Sequence, residues 1–422
     1  HDLWNAIGAA AKKRGMKINL ERVASSWINQ PGYPVINVSN RGAGRGISLK
    51  QERYLLVNTR RYGERWPVPV HYMLPGKRSG FMLLDRKAAQ LRGSAHYVKL
   101  NYGQKGLYRA RYDDGMLQSL GELIRSGGIN PIDAWGIEND VFAMSRSART
   151  GIDDYVDFVE RYCIDGDYPL NVSVSGHLSG LVSLMKGNVK MPRLEAVNLK
   201  YHKMLLKRLG WVRKDDERDA ITLLRSATIT VLGYAGDREV MSQAKKMFDD
   251  YVKNGRQIDP NIRGAIFTLA ALGGDEQTHS TFIDLYKRLD DPYDKVRVLY
   301  GLSSFTDKKL LLASLDFSMS KHVRLQDSYY VPALMASKPA GKQVVWPWIR
   351  DNWKNIMKRF DASSKMLGGY VRNLSSLDSG GSRADYVRFF SKKGNMREDI
   401  KKAYAQSLEF IDSNIRLIDK NR

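Results

Sequence analysis

The sequence predicts a mainly α-helical protein with a small all-β domain towards its start. Three observations carry this expectation. Short β-branched and aromatic runs separated by turn residues crowd the stretch 35–112, and such runs read as strands. Beyond Asp113-Asp114-Gly115 the apolar residues recur at three- and four-residue spacing, which is the helical period. Turn signals then return about every 15–20 residues to the end of the chain. With 422 residues the chain is long enough for two or three domains and needs no disulfide or structural metal to bury a core.

The first segment, 1–31, reads as a helical stub. Leu3, Trp4, Ile7, Ala10 and Ala11 fall on one helical face, a second run covers Leu20 to Ile28, and Pro31-Gly32 stops it. The second, 32–114, reads as a β-sandwich. Its strand candidates are Val35–Val38, Tyr54–Val57, Val68–Met73, Gly80–Leu84, His96–Leu100 and Leu107–Tyr112. Pro67 and Pro69 place the third of these at a sheet edge, because proline cannot donate to a ladder. The third segment, 115–422, divides at signals such as Gly127-Gly128, Gly236-Asp237, Asp259-Pro260, Gly273-Gly274 and Asp291-Pro292 into some fifteen helices. Many short helices with short connections imply a right-angled array or an α-solenoid. No strict repeat is visible, so a HEAT-like repetition would be degenerate.

Few function classes survive a search for chemistry. One cysteine, Cys163, excludes an internal disulfide and every Cys-cluster zinc site; a packed, inert thiol and a reducing cytoplasm are expected. The seven histidines include no H-E-x-x-H, and no two are three or four residues apart. There is no G-x-S-x-G elbow and no phosphate loop ending in G-K-[ST]. The glycine-rich run Arg41-Gly42-Ala43-Gly44-Arg45-Gly46 lies between strand candidates and opens no helix, so it reads as a hairpin loop. Asp113-Asp114, Asp153-Asp154 and Asp215-Asp216 sit at helix starts, where they complement the dipole. Residues 1–115 hold 21 basic and 7 acidic side chains, against 47 and 38 in the rest. That field attracts polyanions or acidic peptides. No nucleic-acid motif accompanies it, and no apolar run is long enough to span a membrane. The residues describe a binding or regulatory region with no catalytic or metal-ligating set of its own.

Several stretches resemble the zinc aminopeptidases of the aminopeptidase N and puromycin-sensitive type. Asp2-Leu3-Trp4 and Ser26-Trp27-Ile28-Asn29-Gln30-Pro31-Gly32-Tyr33-Pro34-Val35 resemble the end of that family's catalytic domain. Arg65-Trp66-Pro67-Val68-Pro69-Val70 is similar to its W-x-V-P segment, and Lys99-Leu100-Asn101 to Asp113 to its K-L-N…G-x-Y-R-V-x-Y-D signature, with Ala110 where Val is usual. Leu209-Gly210-Trp211 with Leu223-Leu224-Arg225, the spacing of Arg297, Leu302 and Asp307, and Val323 to Val331 continue the likeness. So do Trp346 to Phe360, Phe389-Phe390 and Ser407 to Asn414. The archaeal tricorn-interacting factors are the branch the motifs resemble most.

The resemblance implies a C-terminal half. The family's amine-gripping loop, its H-E-x-x-H…E zinc site and its oxyanion tyrosine have no counterpart here, so no cofactor is assigned to this chain and zinc is implied for the full-length parent. The beginning at His1-Asp2-Leu3-Trp4, without an initiator Met or signal-peptide features, suggests a fragment that is inactive alone. Its implied partners are the N-terminal and catalytic domains of the same enzyme, oligopeptide substrates and a large protease assembly. Its implied role is to close a peptide chamber. Arg297, Arg324, Tyr329 and Tyr330 are the candidate peptide-binding residues, with helix caps and interhelix bonds as the competing role for each. A stand-alone basic solenoid that binds nucleic acid, or that scaffolds a protease assembly, is the alternative; the first predicts steep salt dependence, the second pull-down of a large partner at physiological salt. An apolar face near residues 1–30 is expected to drive self-association; a monodisperse monomer by light scattering at high concentration counts against it.

Overall fold

A computed structural model of the chain describes residues 2–13, 15, 19–40, 42, 46–57, 63–91, 95–361 and 364–422. Two helices come first, α1 (Asp2–Lys13) and α2 (Leu20–Asn29). Seven strands follow: β1 (Pro34–Asn40), β2 (Ile47–Arg53), β3 (Val68–Leu74), β4 (Arg78–Leu84), β5 (Ala88–Leu91), β6 (Lys99–Leu100) and β7 (Arg109–Tyr112). Helices α3 (Asp114–Arg125), α4 (Pro131–Arg146), α5 (Ile152–Tyr162), α6 (Tyr168–Leu184), α7 (Met191–Leu209) and α8 (Asp219–Tyr234) come next. Then come α9 (Arg238–Asn254), α10 (Pro260–Leu272), α11 (Glu276–Arg288), α12 (Pro292–Leu302) and α13 (Lys308–Ser318). The chain closes with α14 (Tyr330–Ala336), α15 (Pro339–Arg359), α16 (Ser364–Asn373), α17 (Gly380–Ser391) and α18 (Lys401–Lys420). The protein is thus mostly helical, with a small sheet region near its start. Residues 1–174 and 175–422 are two compact units, described separately below. Apart from Gly42 and Gly46, the Arg41–Gly46 loop falls outside the described residues.

In the first unit the strands form a four-stranded sheet, β5-β2-β1-β7, and a three-stranded one, β4-β3-β6. The β1–β7 pair is parallel, with Val35 opposite Arg109. Buried Gln51 of the first sheet donates its amide to the Trp66 and Arg86 carbonyls (2.9 and 2.8 Å), and its Oε1 accepts from Trp66 N–H (3.0 Å). Two sequence expectations are corrected here. Tyr54–Val57 is not a strand: Tyr54 leaves β2 to stack on Tyr33 (5.4 Å) and to donate its hydroxyl to the Ala143 carbonyl (2.9 Å). The run with Pro69 is the central strand β3, not an edge. Proline is tolerated because β6 pairs with β3 only at Tyr72 and Met73, so β3 has one neighbour at Pro69. The apolar face near the start is present, with Leu3 and Ile28 each 64% exposed.

The segment 99–113 that carried the clearest family signature is a buried latch. Lys99, 1% exposed, reaches Asp133 of α4 (3.3 Å) and the Leu100 carbonyl. Asp133 also accepts from Gly103 N–H (2.9 Å) and Asn130 Nδ2 (2.6 Å). Gly103 lies at φ +73°, a conformation that suits glycine in this tight turn. Tyr108 and Arg109 alternate as strand geometry requires. Tyr108 is buried, its hydroxyl accepting from Asn101 N–H (2.7 Å), while Arg109 turns to Asn139 (3.0 Å) and Asp140 (3.3 Å). Tyr112 accepts from Leu100 N–H (2.9 Å), tying the two sheets together.

In the second unit, local chemistry sets the helix starts. Asp237, Asp259, Asp275, Asp291 and Asp307 each N-cap the helix that follows, α9 to α13 in turn, by accepting backbone N–H bonds. Proline takes the first turn of α10, α12 and α15. The Leu-Gly-Trp and Leu-Leu-Arg landmarks meet at Arg225. Its guanidinium holds Glu217 through two bonds (2.8 and 2.5 Å) and the Gly210 and Leu209 carbonyls (3.0 and 3.1 Å). Trp346, Ile349, Trp353 and Ile356 of α15, and Phe360 just beyond its end, are all buried, as their spacing requires. On α18 the buried line runs Ala403, Ser407, Ile411, Asn414 and Leu417. Two polar residues sit in it because Ser407 donates to the Val371 carbonyl (3.0 Å) and Asn414 to those of Ser375 and Leu377 (2.9 and 3.0 Å).

Candidate functional site

Helices α12 and α14 present a face where cations and phenols converge. Asp291 caps α12 and fixes its first turn, which aims Asp294 inward. Buried Asp294 binds Arg297 one turn on (2.5 Å) and Arg263 from α10. Arg263 is anchored by the Ile258 carbonyl (2.8 Å) and lies over the Tyr251 ring at 5.6 Å. Two guanidiniums therefore share one carboxylate, leaving one net positive charge. Arg297 is 24% exposed and meets Asp294 through Nη1. One turn further along α12 stands Tyr300, whose ring packs edge-on against Tyr330 at 6.5 Å. Tyr330 stacks on Tyr329 at 4.6 Å. Burial raises the pKa of Tyr300, helped by Tyr330 and opposed by Arg297. Burial also raises that of Tyr329, again helped by Tyr330. Both phenols thus stay protonated at neutral pH and offer O–H donors beside a cation, a set suited to a carboxylate.

Three of the four residues singled out in the sequence therefore come together: Arg297, Tyr329 and Tyr330. The fourth, Arg324, binds Asp327 (2.5 Å) three residues on and is 40% exposed. Tyr300, Asp294 and Arg263 were missed. Tyr300 was within reach, since i and i+3 share a helical face; the Arg263–Asp294 pair joins two helices and leaves no local trace. The zinc that the resemblance implies does not fit these residues. Among the described residues no three His, Cys, Asp or Glu are grouped to hold a metal. Buried His202 and His279 are each bonded to a serine, Ser175 (2.7 Å) and Ser314 (3.0 Å). Cys163 is fully buried, and desolvation with Glu138 nearby pushes its thiol pKa well up. No described helix is long and apolar enough to cross a membrane.

Two small sheets followed along the chain by many helices define a mainly helical protein with a small sheet region near its start. The chain belongs to the ERAP1-like C-terminal domain family, whose profile matches residues 97–413. It is 24% identical over 442 residues to aminopeptidase M1-A of Oryza sativa subsp. japonica, covering 100% of this chain and 48% of that protein. It is 26% identical over 433 residues to the mitochondrial aminopeptidase 2 of Saccharomyces cerevisiae (100% and 44%) and 25% identical over 442 to glutamyl aminopeptidase of Mus musculus (100% and 45%). The chain spans about half the length of the curated relatives it matches.

Proposed function

We propose that this chain is the C-terminal region of a zinc-dependent aminopeptidase that trims N-terminal residues from oligopeptides, and that it closes the substrate chamber and holds peptide tails. Membership of the family and likeness to aminopeptidases along the whole chain support the parent activity. The proposed division is a helical stub (1–31), a β-sandwich (32–114) and a degenerate HEAT-like array (115–422). Support for the array comes from alternate helices packing in succession, α8 on α10, then α12, α14, α16 and α18. Exposed Leu3, Ile7 and Ile28 suit a face that meets the enzyme's catalytic domain. A cytoplasmic setting suits the single buried thiol. The archaeal branch and the larger protease assembly rest on the motif resemblance alone.

The observation that carries the tail-binding role is the shared carboxylate at Asp294, which leaves charge on Arg297 beside three phenols. A peptide's terminal carboxylate would accept from Arg297 and from the tyrosine hydroxyls. The expected result is that a fluorescent nonapeptide with a free C-terminus binds this chain about tenfold more tightly than its C-terminal amide, which corresponds to about 1.4 kcal/mol. Arg297→Ala should erase the difference, and Arg324→Ala should reduce it less. Equal anisotropy titrations for acid and amide would sink the proposal.

A further inference from the structure

Between β7 and helices α3, α4 and α5 of the first unit lies a cleft of about 400 Å³, within the size range of ligand pockets. One of its walls is the edge of a sheet. Strand β7 ends the order β5-β2-β1-β7, so only its β1 side is paired. The main-chain groups of successive residues point to opposite sides of a strand. Asp113 N–H donates to the Val38 carbonyl of β1 (3.0 Å), so the main chains of Arg109 and Arg111 face β1 as well. Ala110 N–H accordingly points away from β1 and donates to Asp140 Oδ2 (3.0 Å). The Ala110 carbonyl and the Tyr112 N–H share that open side. Among the described residues neither has a hydrogen-bond partner, although Ala110 and Tyr112 are only 3% and 9% exposed. Tyr112 offers the cleft its main chain, because its hydroxyl is turned to β6, where it accepts from Leu100 N–H. Buried main-chain donors and acceptors are almost always matched, so an acceptor and a donor two residues apart call for a complement. The helices add charge. Asp114 of α3 and Asp154 and Asp157 of α5 line the cleft, against Arg111 and Arg161. Asp140, also in the wall, is matched by Arg109 (3.3 Å). This local acidic excess stands out in a chain of net charge +23.

We propose that this cleft is a strand-addition site, which takes an extended peptide segment carrying a lysine or arginine side chain. One residue laid parallel to β7, opposite Arg111, donates its N–H to the Ala110 carbonyl and accepts from the Tyr112 N–H. That is the parallel pattern in which β7 already meets β1 on its other side. Main-chain bonds of this kind hold any residue except proline, so selectivity comes from the side chains of the wall. The residue opposite Arg111 lies beside a like charge if it is basic. The basic side chain therefore belongs to the residue before or after it, and its partners are Asp114, Asp154 and Asp157. Leu117, Met144 and Phe158 give the segment's apolar side chains a surface to cover. An acidic segment would meet carboxylates without a counter-charge and is disfavoured. This inference uses no residue of the second unit and needs no free terminal carboxylate, so it does not depend on the peptide-tail reading.

The test uses the whole chain and a fluorescent pentapeptide blocked at both ends, with valine at its centre and a lysine on each side. The blocked ends keep it off the Arg297 face. In anisotropy titrations it should bind about tenfold more tightly than the same peptide with glutamates in place of the lysines. N-methylation of the central valine removes the donor to the Ala110 carbonyl and should weaken binding by about tenfold. Hydrogen exchange at the Tyr112 N–H should slow when the peptide saturates the chain. Gln118 is exposed on the cleft wall, so Gln118→Trp fills the space without touching the core and should abolish binding. Absence of binding overturns the proposal. So do equal affinities for the lysine and glutamate peptides, no loss on N-methylation, unchanged exchange at Tyr112, or an unchanged Kd in Gln118→Trp.

Discussion

Replacing Asp133 with alanine should destabilise the sheet-bearing unit by about 3–5 kcal/mol, the usual cost of orphaning one partner of a buried ion pair. Asp133 is fully buried and Lys99 is 1% exposed, so neither charge has water to fall back on. Burial lowers the pKa of Lys99 even against the attraction of Asp133 and Asp140, which shows that desolvation already outweighs the pairing. Removing the carboxylate also strips Gly103 N–H and Asn130 Nδ2 of their acceptor. The double variant Lys99→Met, Asp133→Asn removes both charges but keeps an oxygen for Gly103, and should recover most of the loss. Denaturant-dependent hydrogen exchange of peptides spanning β6 and β7 measures both. A loss below about 1 kcal/mol for Asp133→Ala would show that the latch does not hold this unit.

The second large effect is in the helical unit and depends on pH. His202 is fully buried between two partners: Nδ1 lies 2.8 Å from the Asn198 carbonyl and Nε2 lies 2.7 Å from Ser175 Oγ. A carbonyl only accepts, so the proton is on Nδ1, and Nε2 accepts from the serine. Burial depresses the pKa to about 4, against some support for the charged ring from the Asn198 carbonyl. The unfolded chain takes up this proton near pH 6.5, the folded protein near 4. Unfolding is therefore proton-linked between those values, and the contribution to stability is complete above pH 6.5 and lost as pH falls towards 4. The loss should reach about 3 kcal/mol. Urea unfolding of the wild type and His202→Gln at pH 7 and pH 4 should show that much more acid sensitivity in the wild type. An imidazole resonance that titrates near 6.5 in the folded protein would refute the assignment directly.

Both residues show how far the sequence could be read. Lys99 stood inside a recognisable motif, but its partner is 34 residues away, on a helix whose packing no spacing rule predicts. His202 had no flag beyond being a lone histidine. The cation–phenol face was half legible: the motif resemblance picked out Arg297, Tyr329 and Tyr330, and missed the tyrosine that joins them. The misplaced edge strand has the same origin: Pro69 was read correctly as lacking a donor, but which sides of β3 are paired is decided by β6, about 30 residues on.

What the sequence determined by itself was everything that acts within a turn or two of chain. It set the change of period near residue 115, the starts of α9 to α13 at their aspartate caps, the buried stripe of α15, and the ordered motifs that marked the family. These are local because caps, propensities and amphipathic periods act between neighbours. Tertiary structure alone decided partner and burial: the parallel pairing of β1 with β7, the sharing of Asp294 by two arginines, and the polar centre of α18. It also decided the dry surroundings of Lys99 and His202. A charge or a hydrogen bond changes its energy by several kcal/mol with the solvent and partner it meets. Both are supplied by segments far along the chain, which come together only when the fold closes.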